Sequence, residues 1–140
     1  MLFLAKIYYK ILNIDYFFKI SLFVEVVMLF IISYFLLFSY SYMTALIIYI
    51  GYQVSFSFGS YLIRTETLFL KHNTNITLVD VAKQKGYLLG MLLSYLFYEF
   101  SHYYLDITDK QEQVYNIHML LLVLETSIIF YLLRSFRRKV

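Results

Sequence analysis

The sequence predicts an all-α integral membrane protein, with four transmembrane helices preceded by an amphipathic interfacial helix. Three observations carry this. Hydrophobic residues make up 61% of the 140-residue chain and aromatic residues 21%, set in long apolar runs separated by short polar pieces, a profile foreign to soluble domains. Four of those runs approach the ~20 residues that a helix rising ~1.5 Å per residue needs to cross a hydrocarbon core of ~30 Å. Basic residues then gather in every second connection between the runs, as they do when those connections share one side of a membrane.

The first segment, residues 1 to 17 (MLFLAKIYYKILNIDYF), puts Lys6, Lys10 and Asn13 at i, i+4 and i+7 on one helical face, with Leu, Ile, Phe and Tyr around the rest. Such a segment lies in the interface. No small-residue cleavage site follows its apolar run, so it is expected to stay in the mature chain. Transmembrane helices are expected at 18–38, 42–63, 86–105 and 115–134, with a loop at 64–85 and a basic tail at 135–140.

Charge sets the orientation. Lys6, Lys10 and Lys19 precede or open the first span, Arg64, Lys71, Lys83 and Lys85 lie between the second and third, and Arg134, Arg137, Arg138 and Lys139 follow the fourth. The opposite connections, SYSY at 39–42 and DITDKQEQ at 106–113, carry no cation and one Lys. Both termini are therefore expected in the cytosol or matrix. The sequon Asn75-Ile76-Thr77 faces the wrong side for glycosylation, and Thr77 with Asp80 reads instead as a capping box for the third span.

Small residues mark where helices can approach. Gly51, Ser55 and Gly59 recur at i, i+4 and i+8, and Gly86 with Gly90 form a GxxxG. Such spacings let backbones come close in lipid, where apolar burial does not drive association. The chain has no Cys, Pro or Trp. No disulfide, thiolate nucleophile or cysteine-ligated metal or iron–sulfur site is available, so any redox cofactor is expected on a partner. No metal or nucleic-acid site is expected, and the wealth of Phe, Tyr, Ile and Lys suits an AT-rich genome, of an organelle or of a bacterium.

The chemistry must come from ionisable groups inside the spans: Glu25 in the first, Glu99 and His102 in the third, His118 and Glu125 in the fourth. An acid at a span centre costs about 2.5–3.5 kcal/mol on insertion scales, so it faces a bundle interior and often marks an ion or proton path. If the last two spans form a hairpin turning near residue 110, Glu99 and Glu125 differ in depth by only ~6 Å, and His102 and His118 match nearer the surface. His102 is i+3 from Glu99, and His118 is i−7 from Glu125, so each His shares a face with its Glu. This is the parts list of a proton wire. The alternatives are interfacial histidines satisfied by a headgroup or a carbonyl, a solvated or ion-paired Glu99, and a Glu25 that makes a structural polar contact to a neighbouring helix. Glu125, whose nearest formal charge along its own helix is Arg134, is the hardest to explain without function.

The segment QVYNIHMLLLVLETSIIFYLLRSFRRK, residues 113 to 139, resembles the last helix of NADH dehydrogenase subunit 4L, the smallest core membrane subunit of respiratory complex I. Glu125, Thr126, Ser127, Ile128 and the tail from Arg134 to Lys139 match its order of mid-membrane Glu, small residues, aliphatic run and basic cluster. LLGMLLSYLF at 88–97 and YLIR at 61–64 are similar to stretches of the preceding helices, but the Glu125 region is the specific part. The family's other membrane glutamate would precede the Gly-Met pair, where this chain has Leu89; Glu99 is the candidate replacement. The first span and the long loop are additional.

The resemblance implies a subunit of proton-pumping NADH:ubiquinone oxidoreductase, inactive alone, with Glu125 and Glu99 as proton relay and His102 and His118 in support. Its partners would be the other membrane-arm subunits and the lipid bilayer, and NADH, flavin, iron–sulfur clusters and ubiquinone would sit on partner subunits. The expected location is the mitochondrial inner membrane with both termini in the matrix, or a bacterial inner membrane with both in the cytoplasm. Two other classes fit the size and charge: a structural accessory subunit of a respiratory complex, and a four-helix immunity protein against a pore-forming toxin.

Overall fold

The computed structural model describes residues 11 to 70 and 73 to 137. Among them the fold is all helical, with α1 (Ile14–Leu37), α2 (Tyr42–Phe69), α3 (Asn73–Tyr104) and α4 (Lys110–Arg137). Most of the expected interfacial segment falls outside the described residues.

α1 starts four residues before the expected span because Asn13 caps it. The Asn13 side-chain oxygen accepts the Asp15 N–H at 3.0 Å, and Asp15 in the first turn suits the positive end of the helix dipole. The helix stops at Phe38, whose N–H still donates to the Tyr34 carbonyl at 2.9 Å. The turn passes through Tyr40, held at a left-handed φ of 64°. Its hydroxyl donates to the Gln111 carbonyl at the start of α4, and that anchor, with the Phe35 ring 5.7 Å away, holds a conformation bulky residues avoid. Desolvation, and secondly the nearby Asp109 carboxylate, push the Tyr40 hydroxyl pKa above its ordinary value. Ser41 then caps α2 by accepting the Thr44 N–H at 3.1 Å.

Residues 64–85 depart from the expected loop. α2 continues to Phe69 and α3 begins at Asn73, so Thr77 and Asp80 lie inside α3 rather than at its cap. The stretch contains no Gly or Pro and includes Ala82, Lys83, Gln84 and Lys85, all good helix formers. Polar composition is common to loops and to solvent-facing helix, and here it belongs to helix. A Lys83–Glu66 ion pair ties α3 back to α2.

Three helices, α1, α2 and α4, are long and apolar enough to cross a membrane. α3 is longer, but its apolar half is diluted by Gly86, Gly90, Glu99, His102 and several tyrosines.

α1 is the central helix. It packs against α2 on one side and α4 on the other, whereas α3 touches α4 only slightly. Toward α2, Phe17 meets Phe69 with ring centroids 6.0 Å apart, Phe23 meets Phe58 at 5.4 Å, and Ile31 and Val27 lie against Gly51. Toward α4, Phe18 meets Phe136 at 4.6 Å and Phe35 meets His118 at 4.1 Å. In both seams residue numbers rise along α1 as they fall along its neighbour, so α1 is antiparallel to each. The start of α1 and the ends of α2 and α4 therefore share one end of the bundle, bringing Lys19, Arg64 and Arg134 to that end. The enclosed core is small, with Ile31, Ile32, Phe35 and Tyr61 buried and most other large apolar side chains exposed. That distribution suits a lipid surround.

Candidate functional site

The α1/α4 seam contains the one buried acid among the described residues. Glu125 is only 8% exposed, and its Oε1 is buried with no hydrogen-bond partner. The group that faces it is the carboxyl of Glu25 on α1. Each acid stands near the middle of its helix. Glu25 is ~17 Å from either end of α1 at ~1.5 Å per residue, and Glu125 is ~22 Å from the Lys110 end of α4 and ~18 Å from its Arg137 end.

The seam forms because of how both helices repeat. On α4, His118, Glu125 and Phe136 are separated by seven and eleven residues, close to two and three full turns, so they share one face. On α1, Phe18 and Glu25 are likewise seven residues apart, and Phe35, ten further on, lies about 80° round the helix from Glu25. Aromatic contacts clamp the two helices at both ends, Phe18 on Phe136 and Phe35 on His118, and the antiparallel register between the clamps brings the carboxyls to one level.

Among the described residues no cation pairs with either acid. The nearest basic residue along α4 is Arg134, ~14 Å further on, and along α1 it is Lys19, ~9 Å back. The ion pair among the described residues, Lys83–Glu66, lies on other helices. Two carboxylates in contact at low dielectric do not both stay charged. One proton shared between them is the arrangement such a pair supports. Among the described residues no three His, Cys, Asp or Glu side chains stand together to hold a metal.

The expected proton-wire geometry is redrawn. Glu99 is half-buried on α3, and Glu125 meets Glu25 instead, because α1 and not α3 occupies the inner face of α4. His102 is exposed beside the Tyr103 ring, at 5.1 Å. His118 belongs to the seam: its Nδ1 lies 2.7 Å from the Val114 carbonyl, which can only accept, so Nδ1 is the donor of that bond. His118 is ~10 Å from the Glu125 level, toward the start of α4.

The small-residue positions divide as well. Gly51 is buried and a Cβ there would overlap Ile31. Ser55 is half-buried, with a buried hydroxyl that finds no partner. Gly59, Gly86 and Gly90 face open space. Thr126 and Ser127 lie on the outer side of α4, their hydroxyls donating to the Leu122 and Val123 carbonyls at 2.7 and 2.9 Å. Sequence reasoning underrated Glu25. Its signal was position: it sits within three residues of the middle of its apolar run, as Glu125 sits within one of the middle of its own. No protein-family model, curated protein or solved structure matches the chain.

Proposed function

We propose that the chain is a membrane subunit of proton-translocating NADH:ubiquinone oxidoreductase, in which Glu25 and Glu125 hold a proton between them at mid-membrane and pass it along the membrane arm. The observation that carries this reading is the uncompensated contact between the two carboxyls. A proton gained or lost there changes the charge of the pair by one in a low-dielectric seam. Neighbouring charges can then shift its occupancy, and its occupancy can shift them. His118 is the next station toward the start of α4 and is reached through water.

The resemblance of residues 113 to 139 to the last helix of subunit 4L supports the membrane arm of complex I as the setting. Leu89 stands where that family has a second glutamate, and on this reading Glu25, from the additional first span, supplies the second carboxyl in place of Glu99. α3 is then a fourth span whose exposed apolar side meets neighbouring subunits, and residues 1 to 17 lie in the interface. The basic ends face the mitochondrial matrix, and NADH, flavin, iron–sulfur clusters and ubiquinone belong to partners.

The test starts from the native membrane, gently solubilised, with complexes separated by size and identified by mass spectrometry. Co-migration with the NADH-oxidising arm is expected. Within that assembly, Glu125→Gln and Glu25→Gln should each leave the complex intact and remove most of the proton pumping. Migration as a free small protein or with another assembly would overturn the complex I setting. Full pumping in both variants would overturn the role of the pair.

A further inference from the structure

We propose that the outer face of α4 binds one anionic phospholipid, with its phosphate at Arg134 and its two acyl chains in a pair of grooves that flank Val123, Ser127 and Tyr131. This inference does not depend on the complex I reading.

Two hollows run side by side on the side of α4 away from α1. One, of about 760 Å³, is lined by residues including Met119, Leu120 and Leu124. The other, of about 500 Å³, is lined by residues including Leu122, Thr126 and Phe130. Both share Val123, Ser127 and Tyr131, so this i, i+4 ridge of α4 separates two shallow grooves open to the surround, along which the two chains of one molecule can lie. Ser127 makes the ridge low because it has almost no side-chain bulk.

The lining asks for hydrocarbon. The hydroxyls of Thr126 and Ser127 are already spent on the carbonyls of Leu122 and Val123, so neither offers a polar partner an unmet hydrogen bond. The rim asks for an anion. Ser127, Tyr131 and Arg134 follow one another at i, i+4 and i+7, which places Arg134 on the same face at the mouth of the grooves. Arg134 is exposed, and no carboxylate pairs with it among the described residues. Arg134 stands ~22 Å above Met119, so a phosphate at its guanidinium hangs acyl chains along most of the groove length. Tyr131, with an apolar ring and a polar tip, suits the intervening level. A basic side chain over an apolar groove favours a lipid with net negative charge over a zwitterionic one, whose phosphate is already offset by its own cation.

The full chain, purified into micelles containing phosphatidylglycerol and phosphatidylcholine in equal amounts, would be examined by native mass spectrometry for retained lipid. Wild type is expected to retain phosphatidylglycerol over phosphatidylcholine by about fivefold, the factor that ~1 kcal/mol per basic side chain gives at an anionic surface. Arg134→Gln should bring that ratio to about one. Arg64→Gln, the same charge loss on α2, should leave it unchanged. Ser127→Trp raises the ridge into both channels and should abolish retention of either lipid; if it disturbs helical content by circular dichroism, Val123→Phe takes its place. Equal retention of the two lipids by wild type, equal effects of the two arginine variants, or undiminished retention with the channels filled would each overturn the site. So would a photo-cross-linker at position 127 that captures a protein neighbour and no lipid in the native membrane.

Discussion

Among the described residues Glu125 and Glu25 gain little from their surroundings: no cation pairs with either, one Glu125 oxygen is buried without a hydrogen bond, and each faces a like group. A residue kept for structure should make the bundle more stable than an apolar substitute would. These two should do the reverse. Replacing either with leucine removes a mid-span acid that costs about 2.5–3.5 kcal/mol on insertion scales, so Glu125→Leu and Glu25→Leu should each raise resistance to denaturation in micelles, by up to about 3 kcal/mol. A loss of stability in both variants would identify the pair as a structural contact and remove the main support for proton handling. Glu125 was legible from sequence because an isolated acid in an aliphatic run has few structural explanations. Glu25 was less so, since its meaning lies in the residue opposite, and a side chain's opposite number is fixed by register and not by its own neighbours.

Helix interfaces show the same divide between what spacing announces and what packing uses. Gly51, Ser55 and Gly59 form one small-residue stripe, yet only Gly51 meets a neighbouring helix closely enough that a Cβ would collide, with Ile31. Filling position 51 should therefore be costly and filling position 59 should not. Gly51→Leu is expected to destabilise the α1/α2 pair by about 1–3 kcal/mol, the usual range for overpacking, and Gly59→Ala should be neutral or gain up to about 1 kcal/mol from helix propensity. Thermal unfolding followed by circular dichroism separates the two, and equal sensitivity at both positions would show that the whole stripe is packed. The three helices apolar enough to cross a membrane, among the four expected, followed from apolar length. The helical character of 64–69 and 73–85 did not, because polar composition is shared by loops and by solvent-facing helix, and only the absence of Gly and Pro distinguished them.

The arrangement of the whole molecule follows from which helix wins the inner face of α4. Chain order favours α3, joined to α4 by a short connection, since sequential elements usually neighbour one another. α1 takes the place instead, because it brings aromatic contacts at both ends of the seam, Phe18 on Phe136 and Phe35 on His118, whereas α3 spends its length on tyrosines, glycines and charges that face outward. This choice decides which carboxyl Glu125 meets, and the chain is well suited to testing it because it contains no cysteine. Paired substitutions Glu25→Cys with Glu125→Cys should cross-link rapidly with a short thiol-reactive reagent, giving a species of altered mobility without dimerisation. The pair Glu99→Cys with Glu125→Cys should cross-link at least about tenfold more slowly, since a separation beyond ~7 Å between Cα atoms already defeats a direct disulfide. The opposite order of rates would put α3 on the inner face, return Glu99 to the relay in place of Glu25, and leave the first helix as an addition at the periphery of the bundle.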